Sequence, residues 1–155
     1  MKKRYLTIVL ILAAITALIA CFYLKGRSQA PEGNLAIVCD GSETLVDPFS
    51  APVSEVKGTT VNGKGQEKEI SAQGAALPDV LSLAGIEPDS FTTARVVSSD
   101  EYAAEITAEE AAAGNIAFLI PDEGDDGTET IRLIVFGDDN SKRQVKDVVK
   151  IEVLK

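Results

Sequence analysis

The chain lacks histidine and tryptophan altogether, and its 155 residues include only two cysteines and one methionine. Without histidine, Ser-His-Asp and Cys-His catalytic arrangements and imidazole metal sites are excluded. Two cysteines are too few for a thiolate zinc site or for a disulfide framework. The sequence therefore predicts no catalytic residue and no metal ligand of these kinds, and its length favours a single domain.

Acidic residues outnumber basic ones, 24 against 15, and the excess lies beyond the N-terminal segment. From Ser28 onward there are 10 basic and 24 acidic residues, which gives a formal net charge of −14. A surface this negative repels the phosphate backbone of DNA or RNA and also discourages docking on anionic lipid headgroups. We therefore expect no nucleic-acid partner.

The N-terminal sequence has the pattern of a segment that directs a protein to a membrane. Three basic residues at positions 2–4 precede twenty residues without a formal charge, 5–24, and a helix of that length would be about 30 Å long, close to the hydrocarbon thickness of a bilayer. One interpretation is an uncleaved transmembrane helix. The other is a cleaved lipoprotein signal, because the Leu-Ile-Ala-Cys sequence at 18–21 resembles a cleavage box in which Cys21 is lipidated.

Both interpretations predict a cell-membrane protein with a single N-terminal anchor and its globular part on the extracytoplasmic side. Residues 1–27 are the transmembrane or signal segment, residues 28–34 a short polar linker, and residues 35–155 the domain.

Hydrophobic periodicity predicts many strands and two short helices in the domain. The predicted strands are 35–38, 44–46, 53–60, 67–71, 94–98, 102–107, 116–120, 131–136 and 145–154. One helix covers 77–85, with Pro78 in its first turn and Gly85 as its stop. The second follows a capping-box pattern at 107–110. Because helices and strands do not alternate regularly, the predicted class is α+β.

Two short segments carry turn signals. Asn62-Gly63 predicts a tight turn between the third and fourth strands, because both residues tolerate positive φ. The segment 121–129 holds five carboxylates, and Asp122, Asp126 and Gly127 stand at EF-hand-like offsets. Leu133 occupies the twelfth position, where an EF-hand has a bidentate glutamate. This segment has two possible interpretations, a loop that binds calcium weakly and a solvated hairpin loop.

Four landmarks between Val53 and Val153 follow one another in a family-specific order. They are a small-residue turn and helix at 74–86, the turn at 98–102, the strand at 131–137 and the ending at 145–153. In this order the chain resembles the molybdopterin-binding domain of the sulfite oxidase family, including its small membrane-anchored bacterial relatives. The resemblance implies the mixed β-rich fold of that family, with short helices, after one N-terminal membrane helix.

The resemblance also implies a pocket for a ligand. Arg132 and Lys146 match positions near the pterin site, which suits an anionic ligand, and Asp100 and Tyr102 belong to the matching turn. The same residues also have a second, purely structural interpretation. Arg132 and Lys146 would then pair with neighbouring carboxylates, and Asp100 would cap its own turn.

The chain departs from the family where the metal would be held. Redox-active members bind molybdenum through one cysteine thiolate, and the corresponding stretch here, 58–64, contains none, while Cys39 lies well upstream. A hydroxyl such as that of Thr60 does not replace a soft thiolate. In addition, Glu101 replaces the usual glycine and Phe136 the usual proline.

These departures favour a binding module over an enzyme. We expect a membrane-anchored, extracytoplasmic domain that binds a small ligand or a protein partner, with no bound cofactor and no redox catalysis. The alternative is a molybdenum-cofactor-dependent oxidoreductase, or its accessory subunit, that binds molybdopterin.

Overall fold

The computed structural model describes residues 34–120, 130–139 and 141–155. The predicted membrane segment, with Cys21, and the acidic segment 121–129 lie outside the described residues. No helix in the described part of the chain is long and apolar enough to cross a bilayer.

Nine strands and two short helices make up the described part. The strands are β1 (Leu35–Cys39), β2 (Ser42–Val46), β3 (Val53–Val61), β4 (Glu67–Ala76), β5 (Thr93–Ser98), β6 (Ala103–Thr107), β7 (Ile116–Leu119), β8 (Arg132–Val135) and β9 (Val148–Leu154). The helices are α1 (Leu77–Ser82) and α2 (Ala108–Ala112), and single 3-10 turns occur at Pro48–Ser50, Pro88–Ser90 and Ser141–Arg143. This composition confirms the predicted β-rich α+β class.

The strands form two sheets. The first has the order β2-β1-β9-β5-β6, in which β1 and β9 are parallel and the other neighbours antiparallel. The second has the order β3-β4-β7-β8 and is antiparallel throughout. This second sheet is curled, because the chain just after β8 reaches β3, where the Gly137 amide donates to the carbonyl oxygen of Thr59 at 2.8 Å.

Two hydrophobic clusters lie on opposite faces of the curled sheet. The larger one is the main core and joins both sheets and both helices, with Phe118, Leu81 and Ile151 fully buried. The smaller one lies on the concave face, where Ala117, Ile134 and Phe136 are buried and the partly buried side chains of β3, β4 and β7 pack against them. The alternation of side chains along each strand explains the division.

The local helix signals are confirmed. Leu77, Val80 and Leu81 are buried on one face of α1, and Gly85 ends the helical turns at φ +72°. At the start of α2, the Thr107 hydroxyl oxygen accepts from the Glu110 amide, and the Glu110 carboxylate accepts from the Thr107 amide. Each of these signals depends on residues within a few positions of one another, which is why the sequence displays them.

The predicted turn at Asn62-Gly63 is wrong in its detail. The connection between β3 and β4 is longer than two residues, and the left-handed residue is Gly65, at φ +76°. The Asn62 side-chain oxygen accepts from the amides of Lys64 and Gln66, at 2.9 and 3.0 Å. Asn62 therefore starts the loop by capping it rather than by adopting positive φ.

Two strand boundaries also differ from the sequence prediction. The segment Gly74–Ala76, predicted as a small-residue turn, is the end of β4 and pairs with β7. Its glycine is explained by that pairing, since a Cβ at Gly74 would lie 2.6 Å from the Phe118 carbonyl oxygen. The last strand begins at Val148 rather than Val145, because Val145 forms a separate bridge with Leu133 in the second sheet.

Candidate functional site

A cleft of about 650 Å³ opens where the two sheets meet at one end. The second sheet supplies the β3–β4 hairpin and the start of β8, while the first supplies the β5–β6 turn, and the segment between β8 and β9 completes the wall. The lining residues are Thr60, Val61, Asn62, Gly63, Lys68, Ile70, Ser98, Asp100, Tyr102, Arg132, Ser141, Gln144 and Lys146. All four ligand-binding residues predicted from the sequence, Asp100, Tyr102, Arg132 and Lys146, therefore line one cleft.

Arg132 lies at the centre of this arrangement. It is the first residue of β8, and alternation places it on the same face as Ile134, toward the concave side of the curled sheet. One terminal nitrogen donates to the Gln144 side-chain oxygen at 3.3 Å, and Gln144 donates in turn to the Val61 carbonyl oxygen at 3.4 Å. Burial lowers the pKa of the Arg132 guanidinium, although the group stays protonated at neutral pH.

The Arg132 side chain is incompletely satisfied by the described part of the protein. Its Nε is buried and has no hydrogen-bond partner there. No described carboxylate lies within 4.0 Å of its guanidinium, so the alternative role of a paired strand cation is not seen among these residues. The guanidinium thus has an N–H group without a hydrogen-bond partner and a charge that no described carboxylate neutralises.

Two lysines add positive charge at the rim. Lys68, on β4, is exposed and stands opposite Thr60 of β3, and Lys146 is exposed on the segment that leads to β9. Neither forms an ion pair with a carboxylate of the described residues. Most described cations away from the cleft do, for example Arg95 with Glu152 at 2.8 Å and Arg143 with Glu110 at 2.7 Å.

Lys68 and Gln144 are site residues that the sequence analysis missed. The predicted strand 67–71 included Lys68, but its position depends on the register between β3 and β4 and on the curl of the sheet. Gln144 reaches the site through contacts with Arg132 and Val61, which are far away in sequence. Their only sequence signal was a polar side chain near a strand end, which many residues share.

The β5–β6 turn holds Asp100 in place. The Asp100 carboxylate accepts from the Ser98 hydroxyl and from the Tyr102 amide, the latter at 3.1 Å. These hydrogen bonds, chiefly the one from Ser98, lower the pKa of the Asp100 carboxyl, so the group is ionised at neutral pH. Asp100 therefore caps its own turn, the simpler of the two roles expected for it, while it also lines the cleft.

Specific contacts hold Tyr102 and the residue that follows Lys146. The Tyr102 hydroxyl donates to the Lys142 carbonyl oxygen. Asp147, next to Lys146, accepts from the Ser99 hydroxyl through its carboxylate and from the Ser99 amide through its carbonyl oxygen. Both contacts join the segment after β8 to the β5–β6 turn.

The cleft does not provide the ligand that molybdenum would need. No cysteine occurs among its lining residues. Cys39 pairs with Val153 at one end of β9, whereas Val148, at the other end, pairs with Ser98 of the cleft. Val153 is five residue steps along the strand from Val148, a distance of about 16 Å. Among the described residues, no group of three or more carboxylate, thiol or imidazole side chains is placed to hold a metal ion.

The cofactor implied by the sequence resemblance therefore fits the cleft only in part. The cations suit a phosphate group, but no soft donor stands beside them for the metal.

Comparison with models of known protein families gives no match, and a search of curated proteins also gives none.

Proposed function

We propose that the protein is a membrane-anchored, extracytoplasmic binding module that takes a small anionic ligand in the cleft, without redox catalysis of its own. The observation that carries the proposal is the convergence of Lys68, Arg132 and Lys146 in the cleft, with no described carboxylate paired to any of them. The described residues contain 18 acidic and 10 basic side chains. In such an acidic protein, three cations left together without a partner indicate a place for an external anion.

The chemistry of the lining residues supports binding rather than turnover. Arg132 offers a fixed, planar set of donors, and the two lysines offer mobile charges. Among the described residues, Asp100 is the one acidic group that lines the cleft, and its carboxylate accepts hydrogen bonds within its own turn. A carboxylate with a lowered pKa is a poor general base at neutral pH. Arg132 and the two lysines can thus bind an anion in one orientation.

Labelled sulfate gives a direct test. We expect the full chain to bind sulfate in equilibrium dialysis, with affinity that falls as sodium chloride is added. Arg132→Gln should abolish most of this binding, whereas Arg95→Gln, which removes an exposed cation on the first sheet, should leave it unchanged. Equal loss in both variants, or no sulfate binding by the native chain, would contradict the proposal.

The two remaining parts of the proposal have separate tests. Mass spectrometry of the N-terminal peptide distinguishes an intact Met1 from an acylated Cys21, and either result supports the anchor, whereas an unmodified cleaved terminus contradicts it. Stoichiometric molybdenum or pterin in protein purified from its native host would overturn the assignment as a module without redox chemistry.

A further inference from the structure

We infer that the cleft selects organic oxyanions that carry an apolar body and binds them more tightly than small inorganic anions. The charged group lies at Arg132, and the body lies over Ile70 and the ring of Tyr102. This inference rests on the proposed function and assigns the ligand class to the same site.

The hydrogen-bond donors of Arg132 define the charged end of the cleft. The Arg132 guanidinium has a buried, unpartnered Nε and a terminal nitrogen held only by the long contact with Gln144. Adjacent guanidinium nitrogens match the two oxygens of a carboxylate, or two oxygens of a phosphate or sulfonate, in parallel hydrogen bonds. Lys68 and Lys146 line the same cleft from different segments and add charge without fixed geometry.

The floor next to this charged end is apolar. Ile70 of β4 lines the cleft, and it belongs to the concave-face cluster together with the buried Ile134 of β8. Alternation places Lys68 and Arg132 on the same face, two residues earlier in the same strands. Each cation is therefore next to an apolar neighbour on the concave face.

The β5–β6 turn orients the ligand. Tyr102 is 43% exposed, and its hydroxyl is already bonded to the Lys142 carbonyl oxygen. Beside it, Asp100 is ionised and repels a second negative charge. An anion therefore has its charged group at the Arg132 end, and the part of the ligand near Tyr102 is uncharged and suited to contact an aromatic ring.

The volume of the cleft agrees with a ligand of this kind. A cleft of about 650 Å³ is far larger than an inorganic anion and lies within the usual range of sites for small organic molecules. An inorganic anion would fill only the charged end and leave the apolar floor in contact with water. The added apolar contact is the source of the expected selectivity.

Three probe molecules distinguish the contribution of charge to binding from the contribution of apolar contact. Equilibrium dialysis compares acetate, naphthoate and the neutral naphthalenemethanol on the full chain in zwitterionic nanodiscs, with empty nanodiscs as the blank. Naphthoate should bind at least about tenfold more tightly than acetate and than naphthalenemethanol, because it alone has both features. Arg132→Gln should weaken naphthoate binding at least about tenfold, and Ile70→Thr should weaken naphthoate binding by a larger factor than acetate binding.

The possible failures are distinguishable. If acetate and sulfate bind as tightly as naphthoate and depend on Arg132, the anion site stands and the selectivity inferred here is wrong. If naphthalenemethanol binds as tightly as naphthoate, the cleft is an apolar site and both proposals fail. A folded Arg132→Gln variant, verified by its thermal transition, that keeps full naphthoate affinity would also overturn the inference.

Discussion

Gly58 of β3 lies directly beneath the side chain of Phe136, so closely that a Cβ atom at Gly58 would be 2.6 Å from Cδ1 and 2.8 Å from Cβ of Phe136. The phenylalanine follows β8 and belongs to the concave-face cluster. The fit of these two residues closes the curl of the second sheet, beside the hydrogen bond from Gly137 to Thr59. The curl in turn gives the cleft its floor.

Gly58→Ala should therefore destabilise the protein by about 1–3 kcal/mol, since the added methyl group overpacks a rigid contact. Phe136→Ala removes the ring and should cost about 3–5 kcal/mol by itself. In the Phe136→Ala background the alanine at position 58 should cost less than in the native protein, because the clash with the ring is gone and only the contact with the Cβ atom of residue 136 stays. Denaturant unfolding of the two single variants and the double variant measures this coupling. Additive costs would show that the two residues are independent.

Glu101 has a backbone conformation that favours glycine, with φ +69° in the turn after β5. A residue with a Cβ pays a steric cost in the left-handed region, so Glu101→Gly should stabilise the protein by about 1 kcal/mol. The matched control is Glu105→Gly in β6, which should be destabilising by about 0.5–1 kcal/mol because a strand interior disfavours glycine. Thermal unfolding of both variants tests the difference in sign.

Gln144→Glu tests whether Arg132 can bind an external anion because its neighbour Gln144 carries no charge. The substitution puts a carboxylate about where the amide oxygen now lies, 3.3 Å from the guanidinium. An internal ion pair would form, so sulfate binding should fall at least about tenfold, while the hydrogen bond from Gln144 to the Val61 carbonyl oxygen is lost. Thr44→Glu, which adds the same charge on the exposed strand β2, should leave sulfate binding unchanged. Unaltered binding by Gln144→Glu would mean that Arg132 does not hold the anion.

Glu110 predicts a pH dependence of stability. The Thr107 amide, followed by Arg143, lowers the pKa of the Glu110 carboxyl below its ordinary value of 4.5. A carboxyl with a lowered folded-state pKa contributes stability above its unfolded value, and that stability is lost as the pH falls through the folded value. The native chain should thus be more stable than Glu110→Gln at pH 7, and the difference should shrink on acidification below 4.5. Urea unfolding at several pH values measures it; a constant difference would contradict the argument.

The elements that the sequence predicted well are those with local causes. Gly85 and the capping box at Thr107 act within one helical turn, and the apolar run in β8 predicts a buried strand from a few residues. Arg132 and Lys146 were identified as site residues through a family resemblance, and the structure brings both to one cleft.

The missed features depend on contacts between distant strands. Lys68 joins the cleft only because β4 pairs with β3 in one register and the sheet then curls. Gly74 is a strand residue because a carbonyl oxygen of β7 approaches it, which no local pattern reveals. The position of Gly65 as the left-handed residue is set by the hydrogen bonds of Asn62 across the loop. Register and sheet curvature are properties of the assembled fold.

The parallel pairing of β1 with β9 has a consequence for the order in which the protein matures. β9 lies between β1 and β5, so without it the first sheet would separate into the hairpins β1–β2 and β5–β6. Isolated hairpins are marginally stable in water. The ribosome must therefore release β9, the last strand, before the larger sheet can assemble, and until then its two hairpins lack the strand that joins them.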